Sequence, residues 1–137
     1  ATFSGTATQA QYADLAENYL ANAKLEPGTV VIFGGEQEIS MTRLHEDDRV
    51  AGVVSENPAY LMNSAQEGEF VTAIALQGRT KVKVAGLVRK GAMLVTSSKE
   101  GFACATSSPK IGTIIGKSLE DKTTPGEGLI EVVVGRV

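Results

Sequence analysis

Short blocks of branched apolar residues recur along most of the chain and predict β-strands. Eight such blocks are separated by polar turns that contain Gly or Pro. The predicted strands cover residues 29–33, 50–55, 69–76, 79–85, 92–96, 102–105, 113–119 and 129–134. Strands spaced by about 8–12 residues with turns of this kind are typical of a β-sandwich or a small barrel. The pattern therefore predicts an all-β fold of short antiparallel strands.

Two adjacent blocks differ in the faces that they offer for burial. In residues 79–85, Val82 and Val84 lie on one face and two lysines on the other, as in a half-buried strand. In residues 69–76 both faces are apolar. The second block is therefore predicted to be a central strand or to lie at an interface.

Glycines mark the turns between the predicted strands. Gly28, Gly91, Gly112 and Gly128 each stand just before an apolar block, and the Gly-Gly pair after residues 29–33 suits a tight hairpin. The residues around these glycines do not match and their spacing varies. We interpret them as turns that precede strands, not as an internal repeat.

One short helix is predicted before the strands, over residues 8–24, with Thr8 as its N-cap. Its apolar stripe has helical spacing and consists of Tyr12, Leu15, Tyr19 and Ala23. Residues 1–11 are mostly small and polar, which is typical of a linker. We expect residues 12–137 to form a single β domain.

Composition and charge exclude several classes of function. The 137 residues include 13 basic and 16 acidic side chains, a formal net charge of −3, whereas a nucleic-acid-binding surface is normally basic. No apolar run reaches the roughly 18 residues of a membrane-spanning helix, so we expect neither nucleic-acid binding nor membrane insertion. Cys104 is the single cysteine and cannot form a disulfide within the chain.

Residues 112–118 resemble a phosphate-binding loop, but the match fails. That loop has four residues between its glycines, and here Gly112 and Gly116 are separated by three. The residues between them are branched or apolar and no helix pattern follows, so the segment is predicted to be a strand.

The sequence offers no convincing metal or catalytic centre. His45 is the single histidine, and the acidic residues 46–48 beside it are interpreted as part of a solvated turn, so we expect no metal and no other cofactor. Serines precede or follow lysines at residues 97–99 and 117–118, but neighbours in a strand point to opposite faces. We therefore expect no enzymatic activity and assign no catalytic residues.

Residues 57–64 combine Asn and Tyr with apolar side chains, and Pro58 keeps them out of the interior of a sheet. The segment suits a loop that contacts a sugar or a neighbouring subunit. We favour the alternative that Tyr60, Leu61 and Met62 pack beneath the sheet as core. The absence of Trp weakens the sugar interpretation, because Trp is the strongest stacking side chain.

Several blocks of sequence resemble a domain near the C-termini of tail-fibre and related virion proteins of tailed bacteriophages. They are YADLAE, EPGTV, RVAGVVSENPAYLMN, ALQGR, VRKG, IGKSLE and IEVVVGR, between residues 12 and 136. The RVAGVVSENPAYLMN block is fairly specific, whereas the others are generic.

The resemblance implies a homotrimeric β domain that is made in the host cytoplasm and becomes part of the virion. It also implies that the domain helps to attach the particle to a receptor on the bacterial surface, such as a polysaccharide. Residues 1–11 would then be the end of a fibre shaft, and other virion proteins would be partners. No receptor-binding residue can be assigned from it. Two alternatives stay open, since the layout is also similar to trimeric capsid decoration proteins and to self-cleaving chaperone domains of phage appendages.

Overall fold

A computed structural model describes residues 13–135, and its regular structure consists of ten β-strands. They are β1 (Asp14–Leu20), β2 (Val30–Phe33), β3 (Ile39–Met41), β4 (Val50–Val54), β5 (Tyr60–Met62), β6 (Val71–Ala85), β7 (Met93–Thr96), β8 (Ala103–Thr106), β9 (Ile114–Ser118) and β10 (Glu127–Val134). The predicted all-β fold is confirmed. Over these residues, no helix is long and apolar enough to cross a membrane.

Five of the strands close into a barrel. They pair in the order β6, β8, β7, β9 and β10, and β10 pairs again with β6. The closing β10–β6 ladder is antiparallel and runs from Glu127↔Ala85 to Val134↔Gly78. The β6–β8 and β1–β5 pairings are parallel, so the prediction of antiparallel strands holds for most pairings but not for all of them.

Strand β6 connects the barrel to the remaining strands. Two strands were predicted here, but the chain continues through Gly78 as one strand of 15 residues. Gly78 has a φ of +110°, and a Cβ at this position would lie 2.3 Å from the carbonyl oxygen of Ala13. The first part of β6 pairs with both β1 and β4, which confirms that it is central. Because Ile74 and Ala75 are fully buried within one chain, the two apolar faces do not require a partner subunit.

The buried apolar side chains form two clusters. The larger cluster lies mainly on the barrel strands and consists of Val30, Val53, Val82, Val84, Val88, Leu94, Ala103, Ile115, Ile130, Val132 and Val134. The smaller cluster lies beside the first part of β6 and consists of Ala21, Val31, Ile39, Val54 and Ile74. Val82 and Val84 are buried as predicted, with Lys81 exposed on the opposite face.

The prediction of a helix over residues 8–24 is wrong for the part that the structure describes, whereas Thr8 lies outside the described residues. Residues Asp14–Leu20 form β1, in which buried and half-buried residues alternate. The buried face carries Asp14, Ala16 and Asn18, not the predicted apolar stripe. Pairing with β5 and β6 makes the backbone hydrogen bonds that a helix would have made internally.

The glycine pattern holds at three of the four predicted turns. Gly28, Gly91 and Gly112 have φ values of +82° to +90°, as turns require. Gly128 instead lies inside β10, where a Cβ would come within 2.8 Å of the Lys122 side chain. The Gly-Gly pair begins a β2–β3 hairpin with a five-residue loop over residues 34–38, longer than the tight turn predicted.

Candidate functional site

The serine–lysine neighbours of the sequence do not form reactive pairs in the structure. The Ser97 hydroxyl accepts a hydrogen bond from the Lys99 backbone N–H at 3.0 Å, and the Lys99 ammonium pairs with Glu127 at 2.5 Å. The Ser118 hydroxyl donates to the Glu120 carbonyl at 2.6 Å, and the adjacent lysine is exposed. Residues 114–118 form β9, which confirms the strand interpretation of the apparent phosphate loop.

The single histidine and the single cysteine lie side by side, although they are 59 positions apart in the chain. His45 Nδ1 is 3.7 Å from Cys104 Sγ, and its Nε2 is 3.6 Å from a carboxylate oxygen of Glu46. Burial and the Glu46 charge raise the pKa of the Cys104 thiol, which works against a reactive thiolate. Across residues 13–135 no group of three or more Cys, His, Asp or Glu is arranged to hold a metal ion.

The acidic turn beside His45 is more ordered than the predicted solvated turn. The Thr96 hydroxyl donates to the Leu44 carbonyl and accepts from the Asp47 backbone N–H, both at 2.7 Å. Asp47 is buried, and the Arg49 guanidinium beside it holds the pKa of that carboxyl below its usual range. The carboxylate therefore serves the structure of the turn.

Within residues 57–64, Tyr60–Met62 form the edge strand β5 instead of packing beneath the sheet. Tyr60 begins β5 and is 65% exposed, so its prediction as core is wrong, whereas Leu61 and Met62 are half-buried. The strand is followed by Asn63, whose side-chain amide donates to the Asn18 carbonyl at 3.1 Å. The reciprocal bond from the Asn18 side chain to the Asn63 carbonyl joins this segment to β1.

A polar cavity of about 320 Å³ lies where β1, β4, β6 and β10 meet. We call it the Asp14–Ser55 cavity, after the two buried polar residues that line it. Its other lining residues are Pro27, Gly28, Val54, Glu56, Asn57, Arg79, Thr80, Lys81, Leu129 and Glu131. The volume is at the lower end of the range of about 300–1,000 Å³ that is usual for ligand pockets.

Backbone hydrogen bonds hold both buried groups in place. The Asp14 carbonyl accepts from the Ala59 N–H at 2.9 Å, and the Ser55 N–H donates to the Ala73 carbonyl at 2.8 Å. These bonds leave the two side chains for other partners. Yet Asp14 Oδ2 and Ser55 Oγ are both buried without a hydrogen-bond partner among the described residues.

Burial is the dominant influence on the Asp14 carboxyl. It raises the pKa of Asp14, and the nearby Ser55 hydroxyl and the backbone of Asp14 itself oppose this only in part. Arg79 and Lys81 also line the cavity, but neither forms an ion pair with a described acidic residue. The cavity is thus lined by carboxylate side chains and by two cationic side chains that form no ion pair with a described acidic residue.

An apolar rim continues from the cavity towards Phe102. Pro27 and Leu129 line both the cavity and an adjoining groove that includes Phe102. The ammonium groups of Lys83 and Lys99 lie 5.8 Å and 5.4 Å from the centre of the Phe102 ring. The groove therefore provides an apolar surface with charged groups along its sides.

Reasoning from the sequence missed this cavity altogether. The sequence predicts Asp14 within the helix over residues 8–24 and Ser55 at the end of the strand over residues 50–55. The two residues are 41 positions apart, and only the pairing of β1 and β4 with β6 brings them together. The one usable signal was a charged residue with apolar neighbours on both sides in the segment 12–16.

The described fold is similar to two solved structures from bacteriophage phi29. Pre-mature gene product 12 superposes on 90% of this chain with a TM-score of 0.63 and 14% sequence identity. The present chain spans about a fifth (21%) of the length of gene product 12. The N base of head fibre gp8.5 gives a TM-score of 0.51 at 15% identity, over 87% of this chain and 92% of that chain. At these identities the similarity shows a common fold. No protein-family profile matches the chain, and no curated protein sequence matches it either.

Proposed function

We propose that the chain is a structural module of a bacteriophage virion fibre that assembles as a homotrimer and contributes to attachment to the host surface. The observation that carries the proposal is the shared fold with the two phi29 structures over 87–90% of the chain. The blocks of sequence that resemble phage fibre domains support it independently. The proposed role is non-catalytic and includes contacts with other virion proteins.

Exposed apolar side chains support the assembly of several copies. Ile111 is fully exposed, and Leu44, which is 53% exposed, lines the same shallow depression. Single exposed apolar residues are common in monomers, but two that lie close together beside His45 are a suitable contact for a second copy. In the proposed trimer the depression lined by Leu44 and Ile111 lies between subunits.

Sedimentation of the purified chain tests the assembly. We expect a trimer, and we expect Ile111→Ser to shift the equilibrium towards monomer, while Leu87→Ser, a change at another exposed apolar residue, does not. A monomer at every concentration would refute the trimer. Equal sedimentation of both variants and the wild type would remove Ile111 from the subunit contact.

A position on the capsid is the second candidate, and the similarity to the head-fibre N base specifically favours it. Antibodies against the chain should label tail fibres if the first proposal holds, and heads if the second does. Labelling is read by electron microscopy of particles made from the genome that encodes the chain. Particles that contain no copy of the chain would refute both candidates.

A further inference from the structure

We infer that the turn between Lys122 and Gly128 is a binding site for a primary ammonium group, and that the Lys122 side chain of the same chain is its ligand. The ammonium donates to the carbonyls of Gly86, Thr124 and Gly126 at 2.7, 2.6 and 2.5 Å. Backbone carbonyls arranged around one cation replace its hydration shell in other cation sites. The turn therefore accepts a dissolved alkylammonium ion once the lysine side chain is removed.

The shell around the ammonium is made of neutral carbonyls. Lys122 is 7% exposed, and none of the ion pairs among residues 13–135 includes it. A buried charge is costly unless polar groups surround it, and here the three carbonyls do so. Divalent metal ions are usually held by carboxylates in addition to carbonyls. The shell therefore favours a monovalent cation that donates N–H groups.

The alkyl stem of Lys122 lies in a channel that the fold keeps open. Gly128 leaves this room, since a Cβ there would lie 2.8 Å from Lys122 Cε and 3.5 Å from its Cδ. The Lys122 backbone exchanges two hydrogen bonds with Val88, at 2.8 and 3.1 Å, which fix the start of the channel. Lys122 also lines a surface groove, which gives a dissolved amine a route to the turn. Lys122→Ala removes three carbons and the nitrogen, which are the heavy atoms of propylammonium.

The experiment is thermal unfolding of the full-length Lys122→Ala chain, followed by circular dichroism, in chloride salts of four cations at equal concentration. Propylammonium replaces the stem and the ammonium, whereas ethylammonium and ammonium are shorter. Tetramethylammonium has the same charge but no N–H donor. The controls are the wild type, Lys117→Ala at an exposed lysine of β9, and Lys122→Met, whose side chain occupies the channel.

We expect propylammonium to stabilise Lys122→Ala more than any of the other three cations does. At a concentration of about three times its Kd, it should raise the melting temperature by about 3 °C relative to tetramethylammonium. The wild type, Lys117→Ala and Lys122→Met should show no such difference between the cations. In ¹⁵N-labelled Lys122→Ala, the amide shifts of Gly86, Gly126 and Gly128 should change with propylammonium and saturate.

Three results would overturn the inference. Equal stabilisation of Lys122→Ala by propylammonium and tetramethylammonium would reduce the effect to charge. An equal response of the wild type, or of Lys122→Met, would place the amine elsewhere on the chain. If Lys122→Ala is unfolded in buffer, the titration is read as recovery of the folded spectrum, and no recovery in propylammonium overturns the inference. The inference does not rest on the proposed function, which is tested separately by sedimentation and by labelling of virus particles.

Discussion

Replacement of Lys122 by Met should destabilise the turn that leads into β10. Lys122 is 7% exposed, and its ammonium donates to the carbonyls of Gly86, Thr124 and Gly126 at 2.5–2.7 Å. Its backbone forms a bridge with Val88, which belongs to the larger core cluster. Gly128 makes room for the side chain, because a Cβ there would lie 2.8 Å from Lys122 Cε. The buried Lys122 ammonium thus joins Gly86, which follows β6, to Gly126, which precedes β10.

The expected loss can be worked out from these contacts. A hydrogen bond to a charged group contributes about 1.5–3 kcal/mol, but the three bonds share one ammonium. Thr124 and Gly126 are exposed, so water can replace the lysine at their carbonyls, whereas Gly86 is half-buried. We therefore expect Lys122→Met to lower the free energy of unfolding by about 2–4 kcal/mol. For a domain of this size the melting temperature should fall by about 10 °C.

Urea and thermal unfolding, followed by circular dichroism, measure both quantities. Lys117→Met is the matched control, because Lys117 is an exposed lysine on the neighbouring strand β9 and should change stability by less than about 0.5 kcal/mol. Gly128→Ala should destabilise the wild type more than it destabilises a Lys122→Ala background, since the obstruction is then absent. If Lys122→Met and Lys117→Met unfold at the same midpoint, the lysine does not stabilise this turn.

Three further changes follow from single contacts. Burial raises the pKa of Asp14 above 3.8, the value in the unfolded chain. The contribution of the Asp14 carboxyl to the free energy of unfolding is therefore fully present below pH 3.8, and it is lost as pH rises through the pKa of the folded state. Asp14→Asn should therefore gain stability relative to the wild type over that pH window in urea titrations. Cys104 should react with iodoacetamide more slowly than free cysteine at neutral pH, and Glu46→Gln should raise the rate, because burial and the Glu46 charge raise the pKa of the thiol. Gly78→Ala should cost about 2 kcal/mol or more in urea melts, because its Cβ would meet the Ala13 carbonyl and its φ is positive.

Each of these changes has a control and a contradicting result. Asp48→Asn should show the same dependence of unfolding free energy on pH as the wild type. If Asp14→Asn also showed that same dependence, the raised pKa of Asp14 would be contradicted. Alkylation as fast as that of free cysteine would show that the Cys104 thiol is not perturbed. Gly91→Ala is the matched control for Gly78→Ala, since its φ is also positive but nothing lies within 4 Å of its Cβ. Equal losses at the two glycines would assign the cost to backbone conformation alone.

The strands were predictable because their signal is local. Alternation around Val82 and Val84, and the apolar runs at residues 29–33 and 129–134, indicate β structure whatever the chain packs against. Turn glycines such as Gly91 are local in the same sense, because a positive φ is a property of the residue itself.

The conformation of residues 14–20 could not be read in this way. The stripe of Leu15 and Tyr19 has helical spacing, but the segment is a strand whose buried face carries Asp14, Ala16 and Asn18. A small and polar face becomes a buried face only when other parts of the chain pack over it, and pairing with β5 and β6 fixes the strand in that position. Similarly, Gly128 lies inside β10, where it leaves room for the Lys122 side chain, and does not make a turn.

The sequence by itself determined an all-β chain and the approximate places of most strands. Tertiary structure alone decided that five strands close into a barrel, that β6 is one strand, and that Asp14 and Ser55 share a cavity. The physical reason is the range of the interactions involved. Propensity and periodicity act over a few residues, whereas strand pairing and the burial of polar groups depend on contacts between residues that are far apart in the chain.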